Sequence, residues 1–166
     1  MKKIFAIIFS LLLVASLASC KNNTKESDTF KIVSENGTEL KIEYLKVENF
    51  GDNKIYINVK DNKLVGLSVE FDSSKYAYKE ARIMVGSFNV EYDYTKESTG
   101  VFNFTNPINL VVTDGDAKTP NTKNVKFTPV LTELSNGEAT TTTVSYELSI
   151  KMHDLVDFLE IEHDHE

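Results

Sequence analysis

From Phe30 onward the chain alternates apolar and polar residues with a period of two, and this alternation limits its fold more than any other feature. Successive side chains of a strand point to opposite faces, so such a pattern gives one core face and one wet face. In Thr140 to Met152, the residues Thr142, Val144, Tyr146, Leu148, Ile150 and Met152 share one face, with Thr143, Ser145, Glu147, Ser149 and Lys151 opposite. A second long strand is read from Arg82 to Tyr94, with Met84, Phe88, Val90, Tyr92 and Tyr94 in phase. Gly86 falls on the inward row of that strand, which predicts a bulge or a close crossing by another strand. Shorter runs at Phe30–Val33, Leu40–Val47, Lys54–Lys60, Leu64–Phe71, Val101–Phe104, Ile108–Thr113 and Val125–Leu131 bring the total to about nine strands, with no long helix.

Turn residues separate these runs: Asn36-Gly37, Gly51-Asp52-Asn53, Asp61-Asn62, Asp114-Gly115-Asp116 and Asn136-Gly137. Pro107 and Pro129 lack the donor a central strand needs and predict edge or bulged strands. Asp72 to Ala81 fits either a short helix capped by Asp72 or a loop. Between Lys54 and Phe71, a loop of three residues, Asp61 to Lys63, would pair Val59 with Val65 and Ile57 with Leu67, placing both apolar rows in one core. The expected fold is therefore all-β, a single antiparallel β-sandwich, immunoglobulin-like or similar, with a small barrel as the alternative. No repeat of fixed period and no second domain is visible.

The first twenty residues obey a different rule. Lys2 and Lys3 precede an apolar run from Ile4 to Ala18, broken only by Ser10 and Ser16, and Lys21-Asn22-Asn23 stops it. The run is shorter than the roughly 20 apolar residues that span a bilayer and has the layout of an export signal. Cys20, the one cysteine in the chain, closes the segment Leu17-Ala18-Ser19-Cys20. That segment resembles the lipobox of bacterial lipoproteins. The resemblance implies that the Cys20 thiol receives a diacylglycerol, that residues 1–19 are removed, and that the protein is anchored to a membrane of the bacterial cell envelope with its domain outside the cytoplasm. The alternative is an ordinary secretory signal cut after Ala18, which leaves Cys20 a free thiol without a role. Lys21 to Thr29 contains no apolar residue and is read, with Cys20, as a tether reaching at most roughly 30 Å. The sandwich is assigned to residues 30–153 and an acidic, histidine-containing tail to residues 154–166.

Charge excludes several functions. Without residues 1–19 the chain keeps sixteen basic and twenty-five acidic side chains, a net charge of −9. Arg82 is the one arginine, so neither nucleic acid nor a paired-guanidinium phosphate site is expected. Disulfides are equally excluded by the single cysteine, and the exported body must rest on one apolar core.

Chemistry-bearing residues are sparse. His163 and His165 in "EIEHDHE" would point the same way in an extended chain and could share one divalent ion, zinc or copper, with Glu162 or Glu166; the plainer reading is a solvated acidic terminus. His153 reads as a surface histidine at a strand end. Asp114 and Asp116 flank a glycine, but Lys118 stands where a calcium loop needs a ligand. "GLSVE" at Gly66 lacks the second glycine of a nucleophile elbow. The pairs Glu70/Asp72 and Glu91/Asp93 have the alternation of a wet strand face as their simpler explanation. Tyr76 and Tyr78 could form a platform for sugar or peptide, or could cover the open end of the core. The expectation is a non-catalytic binding or structural module, joined to a membrane through Cys20, with a protein or glycan as possible partner and no cofactor. The alternatives are a metal-binding lipoprotein using the tail and an apolar-ligand carrier built as a barrel.

Overall fold

The computed structural model describes residues 25–113 and 124–161, with the backbone alone for 106–108. Among the described residues, eleven strands and one helix follow in order: β1 (Phe30–Asn36), β2 (Glu39–Tyr44), β3 (Lys54–Lys60), β4 (Lys63–Glu70), β5 (Tyr76–Val85), β6 (Phe88–Asn89), β7 (Asp93–Lys96), β8 (Val101–Val111), β9 (Asn124–Ser135), β10 (Glu138–Ser145), β11 (Leu148–Lys151) and α1 (Met152–Leu159). The first sheet has the order β1-β2-β3-β4-β8-β7, and the second β10-β9-β5-β6 with β11 also on β9. Every pairing is antiparallel. The two sheets stay open rather than closing into a barrel, so the architecture is the all-β sandwich that the alternation predicts.

Inward rows from both sheets fill the space between them. Ile42, Ile55, Ile57, Leu64, Leu67 and Phe104 come from the first sheet, and Ile83, Phe127, Leu131, Leu148 and Ile150 from the second; all are almost completely buried. Each such side chain contributes about 1.5–3 kcal/mol relative to exposure. The alternation is therefore the cause of the sandwich: one face per sheet has somewhere dry to go.

Several local expectations change. The strand expected over Arg82 to Tyr94 is broken, because Gly86 sits at φ 59° in a tight turn that pairs Val85 with Phe88. A glycine on the inward row can mark a turn as well as a bulge, and here the left-handed backbone decides. Phe88 consequently lies 78% exposed. Asp72 to Ala81 is neither helix nor loop throughout: Asp72 Oδ1 accepts from Ser74 N and Ser74 Oγ at 2.9 and 2.6 Å, closing a turn, and β5 begins at Tyr76. The expected strand from Thr140 to Met152 is interrupted after Ser145, and Met152 already belongs to the helix.

The β3–β4 turn has two residues, not three. Asp61 and Asn62 both have positive φ (49° and 56°), the requirement of a type I′ hairpin turn, and Lys60 pairs with Lys63. Val59 then faces Leu64, yet Asn58 faces Gly66 and Ile57 faces Leu67, because Val65 is bulged out of the ladder. The bulge restores the parity that the turn removes, and Val59, Leu64, Ile57 and Leu67 all reach the same core.

Both ends of the domain extend past their expected limits. Met152, Leu155, Val156 and Phe158 have helical spacing and are buried, so residues 152–161 close the sandwich instead of joining a solvated tail. Glu160 ends the helix in the left-handed conformation, its N–H bonded to Asp157 O and that of Ile161 to Val156 O, the two bonds of a Schellman motif. At the other end Ile32 N donates to Lys25 O at 2.9 Å, and Ser27 Oγ accepts from Phe30 N at 3.0 Å. Lys25 Nζ reaches Glu160 at 2.8 Å and lies 5.4 Å from the centroid of the Phe158 ring. The segment read as tether up to Thr29 thus enters the fold at Lys25 without contributing an apolar side chain.

Candidate binding surface

The outward row of the first sheet carries an ordered polar chain. Residues on adjacent strands are brought side by side by register: Asn58 on β3 faces Gly66 on β4, and Ser68 faces Asn103 on β8. Asn58 Nδ2 donates to Ser68 Oγ at 2.9 Å, Ser68 Oγ donates to Asn103 Oδ1 at 2.8 Å, and Asn103 Nδ2 donates to Glu97 Oε1 at 2.8 Å. The three bonds run in one direction and end on a carboxylate, an arrangement in which each bond polarises the next. Ser68 is fully buried beneath this chain although it lies on the face turned away from the core. Gly66 makes room for it: a Cβ there would lie 3.0 Å from Phe104 O and 3.3 Å from Asn58 Nδ2.

Beside the chain, Tyr56 is only 5% exposed. Its hydroxyl donates to Glu70 Oε2 at 2.9 Å, and Lys41 Nζ stands 4.1 Å from its ring centroid. Burial, then the hydrogen bond and charge of Glu70, push the Tyr56 hydroxyl well above its ordinary pKa. Toward the hairpin turns the face opens into a groove of about 420 Å³ lined by Ser34, Asn36, Glu39, Lys41, Asn58 and Lys60, with Leu40, Val59 and Val65 as its apolar part. Glu39 and Lys60 form an ion pair at 2.6 Å within it. Such a groove offers donors, acceptors and both signs of charge on a rigid sheet.

The residues singled out from sequence are distributed elsewhere. Tyr78 stacks on Phe102 at 4.3 Å between ring centroids, with Tyr94 at 5.5 Å, and its hydroxyl meets that of Tyr92 at 3.4 Å. Tyr92 in turn donates to Ala81 O at 2.7 Å. Tyr78 is thus a half-buried part of an aromatic cluster between the sheets, and Tyr76 is likewise packed against the core. Burial, then the bond to Tyr92, push the Tyr78 hydroxyl up. Glu70 serves Tyr56 and Asp72 serves its turn; Glu91 and Asp93 are exposed. His153 is on α1, not at a strand end, with Nε2 3.4 Å from Asp157 Oδ2. Cys20, Asp114, Asp116, His163 and His165 lie outside the described residues. Among the described residues no group of three or more His, Cys, Asp or Glu is placed to hold a metal ion, and no helix is long and apolar enough to cross a membrane.

No family model, no curated protein and no solved structure matches this chain.

Proposed function

We propose that this chain is a lipoprotein anchored in the bacterial cell envelope through Cys20, whose sandwich acts without catalysis, as a binding or structural module. The observation that carries the anchor is the lone cysteine directly after Leu17-Ala18-Ser19 at the end of an apolar export run. Support for a non-catalytic role comes from how the polar face is used. The Ser68 hydroxyl donates to the amide oxygen of Asn103, which is not a base, and receives a hydrogen bond from Asn58. A serine so placed is not activated for attack. Glu70 and Glu97 each accept a hydrogen bond from a neighbouring side chain, Tyr56 and Asn103. At the other end of the sheet, the groove lined by Lys41, Asn58 and Lys60 offers a ligand a polar surface whose lining is fixed by strand pairing.

Metabolic labelling with a radioactive fatty acid tests the anchor: the wild-type chain takes up label and fractionates with membranes, and Cys20→Ala does neither. Unchanged labelling and membrane association of Cys20→Ala would exclude it. The attachment is strong for a simple reason, since each buried CH₂ contributes about 0.8 kcal/mol and a diacylglycerol carries two chains.

A further inference from the structure

Resting on the anchor reading, we infer that the β1 and α1 flank of the sandwich is held against the lipid headgroups, edge-on, so that the β7 edge of the first sheet points away from the membrane. Only four residues separate Cys20 from Lys25. Whatever their conformation, five Cα steps cannot exceed about 18 Å. Lys25 is fixed to the body on the open side of β1, through its carbonyl bond to Ile32, the Glu26↔Lys31 bridge and the contacts of its side chain with Glu160 and Phe158. The opposite edge, β7, lies five strand spacings from β1, about 24 Å across the sheet. An anchored lipid therefore keeps the β1 edge within about 18 Å of the surface, while the β7 edge can stand up to a sheet's width farther away.

The flank has no surplus of positive charge to do this by itself. Lys25 is paired with Glu160 at 2.8 Å and Lys31 with Glu26 at 3.6 Å, and Asp154 and Asp157 add further negative charge on α1. Proximity comes from chain length, which acts as a high effective concentration, and not from attraction to anionic lipid. This separates the inference from electrostatic docking, which salt would reverse.

The test uses the lipidated full protein in phosphatidylcholine vesicles containing a headgroup-attached nitroxide quencher. Single cysteines carrying a fluorophore are placed at Val33, a partly exposed bulge position in β1, and at Thr95, exposed on β7. Val33→Cys is expected to be quenched several-fold more than Thr95→Cys, and equally so when anionic lipid or high salt is added. A Gly/Ser spacer of about fifteen residues between Thr24 and Lys25, able to add up to roughly 50 Å of reach, is expected to abolish the difference while leaving fatty-acid labelling unchanged. Equal quenching at both sites, quenching lost in salt, or quenching retained with the spacer each overturns the inference while the labelled anchor stands. Protein without label at Cys20 overturns the anchor, and the orientation with it.

Discussion

Val59 pairs with Leu64 at the mouth of the β3–β4 hairpin, and the next inward pair along the same strands is Ile57 with Leu67; the extra residue between Leu64 and Leu67 is the bulged Val65. Turn length and bulge thus compensate each other, and neither can change alone. Deleting Val65 would slip β4 by one residue beyond the turn and move Leu67 and Val69 off the core face. The expected result is a chain without a cooperative thermal transition. Asn62→Gly, by contrast, relieves a left-handed residue in a turn that favours glycine there, and is expected to stabilise by up to about 1 kcal/mol in denaturant unfolding.

Replacing Ser68 by Ala would leave the Asn58 amide without its acceptor and the Asn103 oxygen without its donor. A loss of about 1–3 kcal/mol is expected from chemical denaturation. Substituting all three of Asn58, Ser68 and Asn103 with apolar residues of similar size should cost less than three independent losses, because no group within the triad is then left unpaired and Glu97, which loses the Asn103 donor, is exposed to water.

On α1, Leu155 is fully buried while Glu160 lies 81% exposed in its ion pair with Lys25. Leu155→Ala is expected to cost about 2–5 kcal/mol. Glu160→Gln, at an exposed ion pair, should leave the stability almost unchanged. Near-equal effects of the two, measured by urea unfolding, would show that α1 does not close the core.

Tyr56 and Tyr78 both have hydroxyls pushed above the unfolded tyrosine value by burial and by a hydrogen bond. In the folded state the proton is retained where the unfolded chain would release it. Their contribution to stability is therefore complete below about pH 10 and is lost as pH rises through the elevated folded values. The thermal midpoint is expected to fall steadily above about pH 10, and Tyr56→Phe should make that fall shallower. An unchanged slope in Tyr56→Phe would contradict the assignment.

Sequence alone carries the layered architecture, because period-two alternation in Ile55, Ile57, Val59 and in Leu67, Val69, Phe71 leaves a one-faced sheet little choice. It carries less where two readings share one pattern. Gly86 on an inward row fits a bulge and a turn alike. Met152, Leu155, Val156 and Phe158 have helical spacing, but the acids between and after them suggest a solvated tail. The β3–β4 hairpin shows why register is hard to read: parity reveals only the sum of turn and bulge. The polar chain of Asn58, Ser68, Asn103 and Glu97 is hidden altogether, since it exists only once β8 is known to lie beside β4. Alternation says that these residues face outward and is silent on which strand is next to which.

The meeting of Lys25 with Glu160 has a kinetic consequence. Helix α1 supplies Leu155 and Phe158 to the core, and its C-cap Glu160 meets Lys25 ahead of β1, while β8 must find β4 and β9 must find β5 across long stretches of chain. The β1–β4 meander and the β7–β8 hairpin are local, but the second sheet needs β5 beside β9 and the core needs α1, so there loop-closure entropy is met before the contacts that offset it form. Such a topology is expected to fold slowly and to complete its core only once α1 is available. If the chain is exported as proposed, that delay is an advantage: the alternating strands that make the sandwich stable also postpone its completion until the chain has crossed.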